Sequence, residues 1–214
     1  MTGWPAALPG LGAGAAVLYL AFWCWAGPSA VKSAVKTLSV GALALAAWIA
    51  GAPGLLVAAL AFGALGDFCL SRPGERAFLA GLIAFVLAHL AYVPLFLGVP
   101  GGSLAALASW RGVALVAFAL FALWLARRLW SASGDLRVPV MGYVAIIMCM
   151  VGAALGAPRP LLWLGAGLFA LSDSVLAAEM FLLSDDHPAR RWTPYAIWAC
   201  YWTAQALFLW AFLP

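Results

Sequence analysis

Four ionisable side chains interrupt segments that are otherwise apolar: Asp67, His89, Asp173 and Glu179. An aspartate at the centre of a helix in lipid costs about 2.5–3.5 kcal/mol to insert, so such a group normally faces a bundle interior, finds a partner and serves a site or a pathway. Two carboxyl groups in dry surroundings suit acid/base work, because desolvation favours the neutral acid and like charges resist ionising together. A protonated acid working with an ionised one cleaves bonds that pass through an oxocarbenium-like cation, as in glycoside hydrolysis. A vinyl ether breaks through the same kind of cation. Protonation of its β-carbon gives the oxocarbenium ion, water adds, and the hemiacetal collapses to an aldehyde and an alcohol. Asp67 lies about a turn inside its helix end and Asp173 nearer mid-helix. The two are expected to converge on one cavity, with Asp173 as proton donor and Asp67 stabilising the cation and directing water.

The residues around these acids suggest how such a cavity would be lined. Phe85, His89 and Tyr92 fall at i, i+4 and i+7, on one helical face, and Tyr201 and Gln205 repeat the i, i+4 relation. His89 either orients a carboxylate or water, or bridges two helices as a neutral imidazole. The two tyrosines read equally well as packing and interfacial anchors. Gly63 and Gly66 flank Asp67, and Ser172 and Ser174 flank Asp173; all four also suit close helix packing. Glu179 sits near a helix end, where headgroups or Arg190 are in reach. Lys36, helped by Arg72 or Arg76, is expected to hold a lipid phosphate. There is no GxSxG elbow and no HExxH pair, and His89 and His187 are far apart, so neither serine-nucleophile nor preformed metal chemistry is expected and no cofactor is called for. Cys24, Cys69, Cys149 and Cys200 stand singly and read as packing thiols.

These residues must be positioned by membrane helices. The chain of 214 residues is 67% hydrophobic and 8% charged, with mean hydropathy +1.06, whereas soluble domains carry about 25% charged residues. At about 20 apolar residues per span, the length holds about eight spans as one transmembrane helical domain over 1–214, with no room for a separate soluble domain. Apolar runs bounded by Gly, Pro or charge place helices near 10–26, 33–51, 54–71, 76–98, 110–129, 138–156, 160–183 and 192–213. No Lys or Arg precedes the first run, so a cleavable leader is not expected. Nine of the eleven Lys and Arg residues fall at the odd-numbered connections, and only Arg111 and Arg159 at the even ones. That bias puts the odd connections in the cytoplasm and both termini outside; in a bacterium the host membrane would be the inner one. The basic residues form no stripe, so the net charge of +4 does not indicate nucleic acid. No feature specifies an oligomeric state. Ala64-Leu65-Gly66-Asp67-Phe68-Cys69-Leu70 is echoed by Ala170-Leu171-Ser172-Asp173-Ser174-Val175-Leu176, which raises a possible 4+4 parallel repeat.

At these residues the chain resembles the YhhN/TMEM86 family, whose membrane proteins include lysoplasmalogenases. The resemblance is carried by Gly66-Asp67-x-x-Leu70, by Gly81 to Phe85 leading to His89 and Tyr92, by Phe169-Ala170-Leu171-Ser172-Asp173-Ser174-x-Leu176-Ala177, and by Tyr201 with Gln205. It implies an all-α, eight-helix polytopic fold and hydrolysis of the alkenyl ether of lysoplasmalogens, a lysophospholipid substrate drawn from membrane lipid. Asp67 and Asp173 match the family's two intramembrane acids. Near the start of the second helix the family tends to carry Lys-Pro, and this chain reads Lys36-Thr37. A proton-coupled transporter using Asp67, His89 and Asp173 as a relay is the rival from another class, and a purely structural scaffold is a third reading.

Overall fold

The computed structural model describes residues 4–213, and among these there is no strand. Long Ala- and Leu-rich runs satisfy every backbone donor within the segment as helix, which is what a bilayer demands. Among the described residues eight α-helices result: α1 (Trp4–Phe22), α2 (Ala30–Ile49), α3 (Gly54–Leu70), α4 (Glu75–Leu97), α5 (Trp110–Ala132), α6 (Arg137–Gly156), α7 (Pro160–Phe181) and α8 (Thr193–Phe212). Short 3-10 turns at Leu104–Ala108, Gly134–Leu136 and Pro188–Arg191 lead into α5, α6 and α8. The caps are local. Ser29 accepts from the Lys32 amide at the start of α2, Ser109 does the same for Arg111 at α5, and Pro160 occupies the first turn of α7.

Among the described residues, five segments are long and apolar enough to cross a membrane: Ala30–Ile49, Glu75–Leu97, Trp110–Ala132, Gly134–Gly156 and Pro160–Phe181. Ala7–Phe22 and Gly54–Leu70 are apolar but shorter. α8 has the length but not the hydropathy, since Tyr195, Trp198, Tyr201, Trp202, Gln205 and Trp210 dilute its aliphatic content. Polarity is distributed as lipid requires. Ser33, Ser39, Asp67, Ser71, His89 and Gln205 are buried, while Trp48, Val113 and Leu120 stand exposed. α5 is the extreme case, with only Leu125 and Leu129 buried.

The chain forms two compact units. The first comprises residues up to Leu95 together with the end of α8 from Gln205. In it α2 packs against both α1 and α3, around a core that includes Leu43, Leu56 and Leu60. α3 meets α4 through glycine: a Cβ on Gly66 would lie 2.7 Å from the Phe85 ring, and one on Gly81 2.7 Å from the Leu70 side chain. The second unit, residues 96–204, packs α5 on α6 and α6 on α7. Leu125, Leu129 and Val140 form one of its clusters, flanked by Ala177 and Phe181.

The first helix differs from the run expected over 10–26. It already includes Pro9, whose ring is tolerated early in a helix, and it stops at Phe22. The Trp23 and Cys24 amides both turn back to the Tyr19 carbonyl. α2 begins at Ala30 rather than near 33 because Ser29 supplies the cap, and α5 continues through Arg127 and Arg128 to Ala132, since arginine is a good helix former.

Candidate functional site

In the first unit, Lys36 and Asp67 sit near the same end of two successive, antiparallel helices. Lys36 is six residues past the start of α2, and Asp67 is three before the end of α3. Their side chains meet as an ion pair, Nζ to Oδ1 at 3.1 Å, with Asp67 only 1% exposed and Lys36 16%. A lone aspartate would be expensive there, and the ammonium is the counter-charge that allows it. One turn beyond, Ser71 Oγ donates to Ser33 Oγ at 2.7 Å, a second polar stitch along the same α2–α3 seam. Lys32 and Lys36 both approach the Tyr19 ring of α1, at 6.0 and 5.9 Å from its centroid.

Across the glycine contact with α4, Phe85, His89 and Tyr92 are all buried, as one inward face requires. His89 Nδ1 lies 2.7 Å from the Phe85 carbonyl. A carbonyl only accepts, so Nδ1 carries a proton, and in the neutral imidazole Nε2 presents its lone pair. The Tyr92 hydroxyl donates to Gln205 Oε1, and the Tyr92 ring lies 4.6 Å from that of Phe208. Gln205, related to Tyr201 by helical spacing, thus has Tyr92 of α4 as its hydrogen-bond partner.

In the second unit Asp173, on α7, accepts a hydrogen bond at Oδ2 from the Tyr143 hydroxyl of α6, 2.9 Å away. Tyr143 lies six residues into α6 and Asp173 eight from the end of α7, so the antiparallel helices bring them level. Ser172 donates to the Ile197 carbonyl at 3.0 Å and ties α7 to α8, while Ser174 turns back onto the Ala170 carbonyl at 2.6 Å. Each serine has spent its proton on backbone, and what it can offer a ligand is a lone pair. Tyr201 packs edge-on against Phe169, ring centroids 5.4 Å apart.

Glu179 accepts from the Thr193 hydroxyl and has Arg190 beside it, at 3.9 Å. Arg190 also donates to the Glu179 and Leu183 carbonyls, at 2.8 and 3.0 Å, so this guanidinium caps the end of α7. Among the described residues no three His, Cys, Asp or Glu side chains group as a metal site.

Lys36 as the partner of Asp67, and Tyr143 as that of Asp173, were missed by sequence reasoning. The available signal was register: in each case the partner stands on the neighbouring antiparallel helix at a comparable distance from the shared end.

The family model described as YhhN family matches residues 31–212. Among curated proteins, lysoplasmalogenases of Mycobacterium bovis and Mycobacterium tuberculosis are each 36% identical over 157 residues, 71% of this chain and 58% of the relative. Human lysoplasmalogenase TMEM86B is 34% identical over 177 residues, 81% of this chain and 71% of the relative. The match thus spans 58% of the length of the mycobacterial proteins. No solved structure matches. With the family match running from α2 to the last residue of α8, and with helices apolar enough to cross a bilayer, the chain belongs to the YhhN family of multi-pass membrane proteins.

Proposed function

We propose that this protein hydrolyses the alkenyl ether bond of lysoplasmalogens, releasing a fatty aldehyde and a glycerophospho-alcohol. The observation that carries this reading is the pair of intramembrane aspartates in two different settings, Asp67 against an ammonium and Asp173 against a tyrosine hydroxyl. The names of the relatives support the substrate class. Asp173, which faces a neutral partner, donates its proton to the β-carbon of the vinyl ether. Asp67, ionised against Lys36, stabilises the resulting cation. Water adds to the carbon bearing the ether oxygen and returns a proton to Asp173, and the hemiacetal then collapses.

His89 Nε2 and the Tyr92–Gln205 pair orient the carboxylate or the water. Ser172, Ser174 and Tyr201 line the chain side of the substrate. Lys36 shares its charge between Asp67 and the headgroup phosphate, with Lys32 beside it. Metal and organic cofactors play no part in this scheme. All eight helices span the membrane, with the basic connections cytoplasmic and the outer ends of α1 and α8 extracytoplasmic. Reporter fusions at either end that are active in the cytoplasm would overturn that topology. The function is tested by aldehyde release from purified protein in detergent supplied with lysoplasmalogen. Proton uptake into vesicles without aldehyde release would replace hydrolysis with a proton relay.

A further inference from the structure

The hydrogen bond from Tyr143 to Asp173 has a direction, and the direction has a chemical consequence. A phenol hydroxyl that donates to Oδ2 makes that oxygen the acceptor of the carboxyl group. Kept when the acid is protonated, that direction makes the oxygen facing the phenol the carbonyl oxygen and puts the acidic proton on Oδ1. The donor and acceptor stand on different helices, α6 and α7, which pack against each other. The bond therefore also fixes the rotation of the carboxyl plane. Without it a carboxyl group flips about its last torsion, which is broad and roughly two-fold, and places its proton on either oxygen.

We propose that Tyr143 is the positioning residue of the acid: it holds Oδ2 of Asp173 so that the transferable proton occupies Oδ1 and points one way throughout turnover. This rests on the hydrolytic role of Asp173 proposed above. Tyr143 touches neither the substrate nor the reacting atoms and exchanges no proton. In the cycle, Oδ1 gives its proton to the β-carbon and regains one from the water that adds, while Oδ2 keeps its bond to the phenol. Fixing a reacting group within a fraction of an ångström is worth large factors in rate, and misplacing it costs up to about 100-fold. Tyr143→Phe, which keeps the ring and deletes the hydroxyl, is therefore expected to lower kcat about 10- to 100-fold and leave KM within about twofold.

The experiment compares wild type, Tyr143→Phe and Asp173→Asn in detergent. It follows aldehyde release from lysoplasmalogen, thermal unfolding, and the infrared carbonyl stretch that disappears in Asp173→Asn. The expected result is a loss in kcat alone for Tyr143→Phe, a nearly unchanged melting temperature, and an Asp173 carbonyl band moved to higher frequency because its acceptor bond is gone. An active wild type with kcat unchanged in Tyr143→Phe overturns the positioning role and leaves the hydrolase reading standing. An unmoved carbonyl band overturns it too, as does the absence of any wild-type carbonyl band that Asp173→Asn removes. A wild type that releases no aldehyde overturns the hydrolase reading, and the role of Tyr143 in that reaction falls with it. A rise in KM with kcat preserved would make Tyr143 a wall of the substrate site and not a support for the acid.

Discussion

The two aspartates share a sequence setting, A-L-small-D-x-x-L, yet the two units answer them differently. On the α2–α3 seam Asp67 meets a full positive charge, Lys36 at 3.1 Å. On the α6–α7 seam Asp173 meets a dipole, the Tyr143 hydroxyl at 2.9 Å. The same local motif is therefore met by a counter-charge in one place and by a hydroxyl donor in the other. What sets the difference is the residue that the neighbouring antiparallel helix presents at that depth, and the motif itself is silent on it.

The strongest way to break this comparison is to remove the carboxyls one at a time. Asp67→Asn and Asp173→Asn are each expected to lower aldehyde release by about 100- to 10,000-fold, the range over which positioned acids and bases contribute. Retention of activity in either variant would leave that aspartate a structural clamp.

Next in size is the ion pair itself. Lys36→Met leaves a buried aspartate without its counter-charge, for which a loss of about 3 kcal/mol is expected, at the lower end of buried pairs because Lys36 retains some exposure. Lys36→Met combined with Asp67→Asn should regain most of that stability in thermal unfolding, since the double variant buries no charge. Kinetics sharpen the point: a rise in KM alone assigns Lys36 to the headgroup, whereas a loss in kcat ties it to Asp67.

A smaller effect is expected at the glycine contact that brings Asp67 and His89 to adjoining helices of one unit. Gly66→Ala places a methyl group 2.7 Å from the Phe85 ring and should cost about 1–3 kcal/mol in the same melts. The smallest belongs to the α6–α7 seam. Tyr143→Phe should destabilise the fold by only about 0.6 kcal/mol, the mean for a hydrogen bond inside a membrane protein. A loss as large as that of Lys36→Met would show the two seams to be energetically alike and erase the contrast.

Hydropathy made the helices legible. α3 and α7 fall within about two residues of the expected 54–71 and 160–183, because Gly and Pro mark their starts and loss of hydropathy their ends. α1 was displaced because Pro9 looked like a boundary and the run Phe22-Trp23-Cys24-Trp25 looked like more helix, whereas the helix stops at Phe22 and the Trp23 and Cys24 amides both turn back to the Tyr19 carbonyl. The intramembrane acids and the inward face of α4 were equally legible, as costly or periodic residues. Their partners were not. Tyr143 sits among Met, Gly, Val and Ala and reads as packing. Lys36 reads as a headgroup ligand until the register of α2 against α3 is known. Ser172 and Ser174 read as candidate site residues, and what the sequence did not show is that both hydroxyls donate to backbone carbonyls.

The Lys36–Asp67 pair also bears on how the chain enters the bilayer. Inserted separately, α2 and α3 would each carry an unmatched charge costing about 2.5–3.5 kcal/mol if centred in the membrane. Inserted together, as antiparallel helices joined at their other ends by residues 50–53, they carry the two charges as a pair. Biogenesis thus favours α2 and α3 leaving the insertion machinery as a hairpin, and a nascent chain arrested after Ile49 is expected to stay there, whereas one arrested after the whole of α3 has emerged is expected to leave.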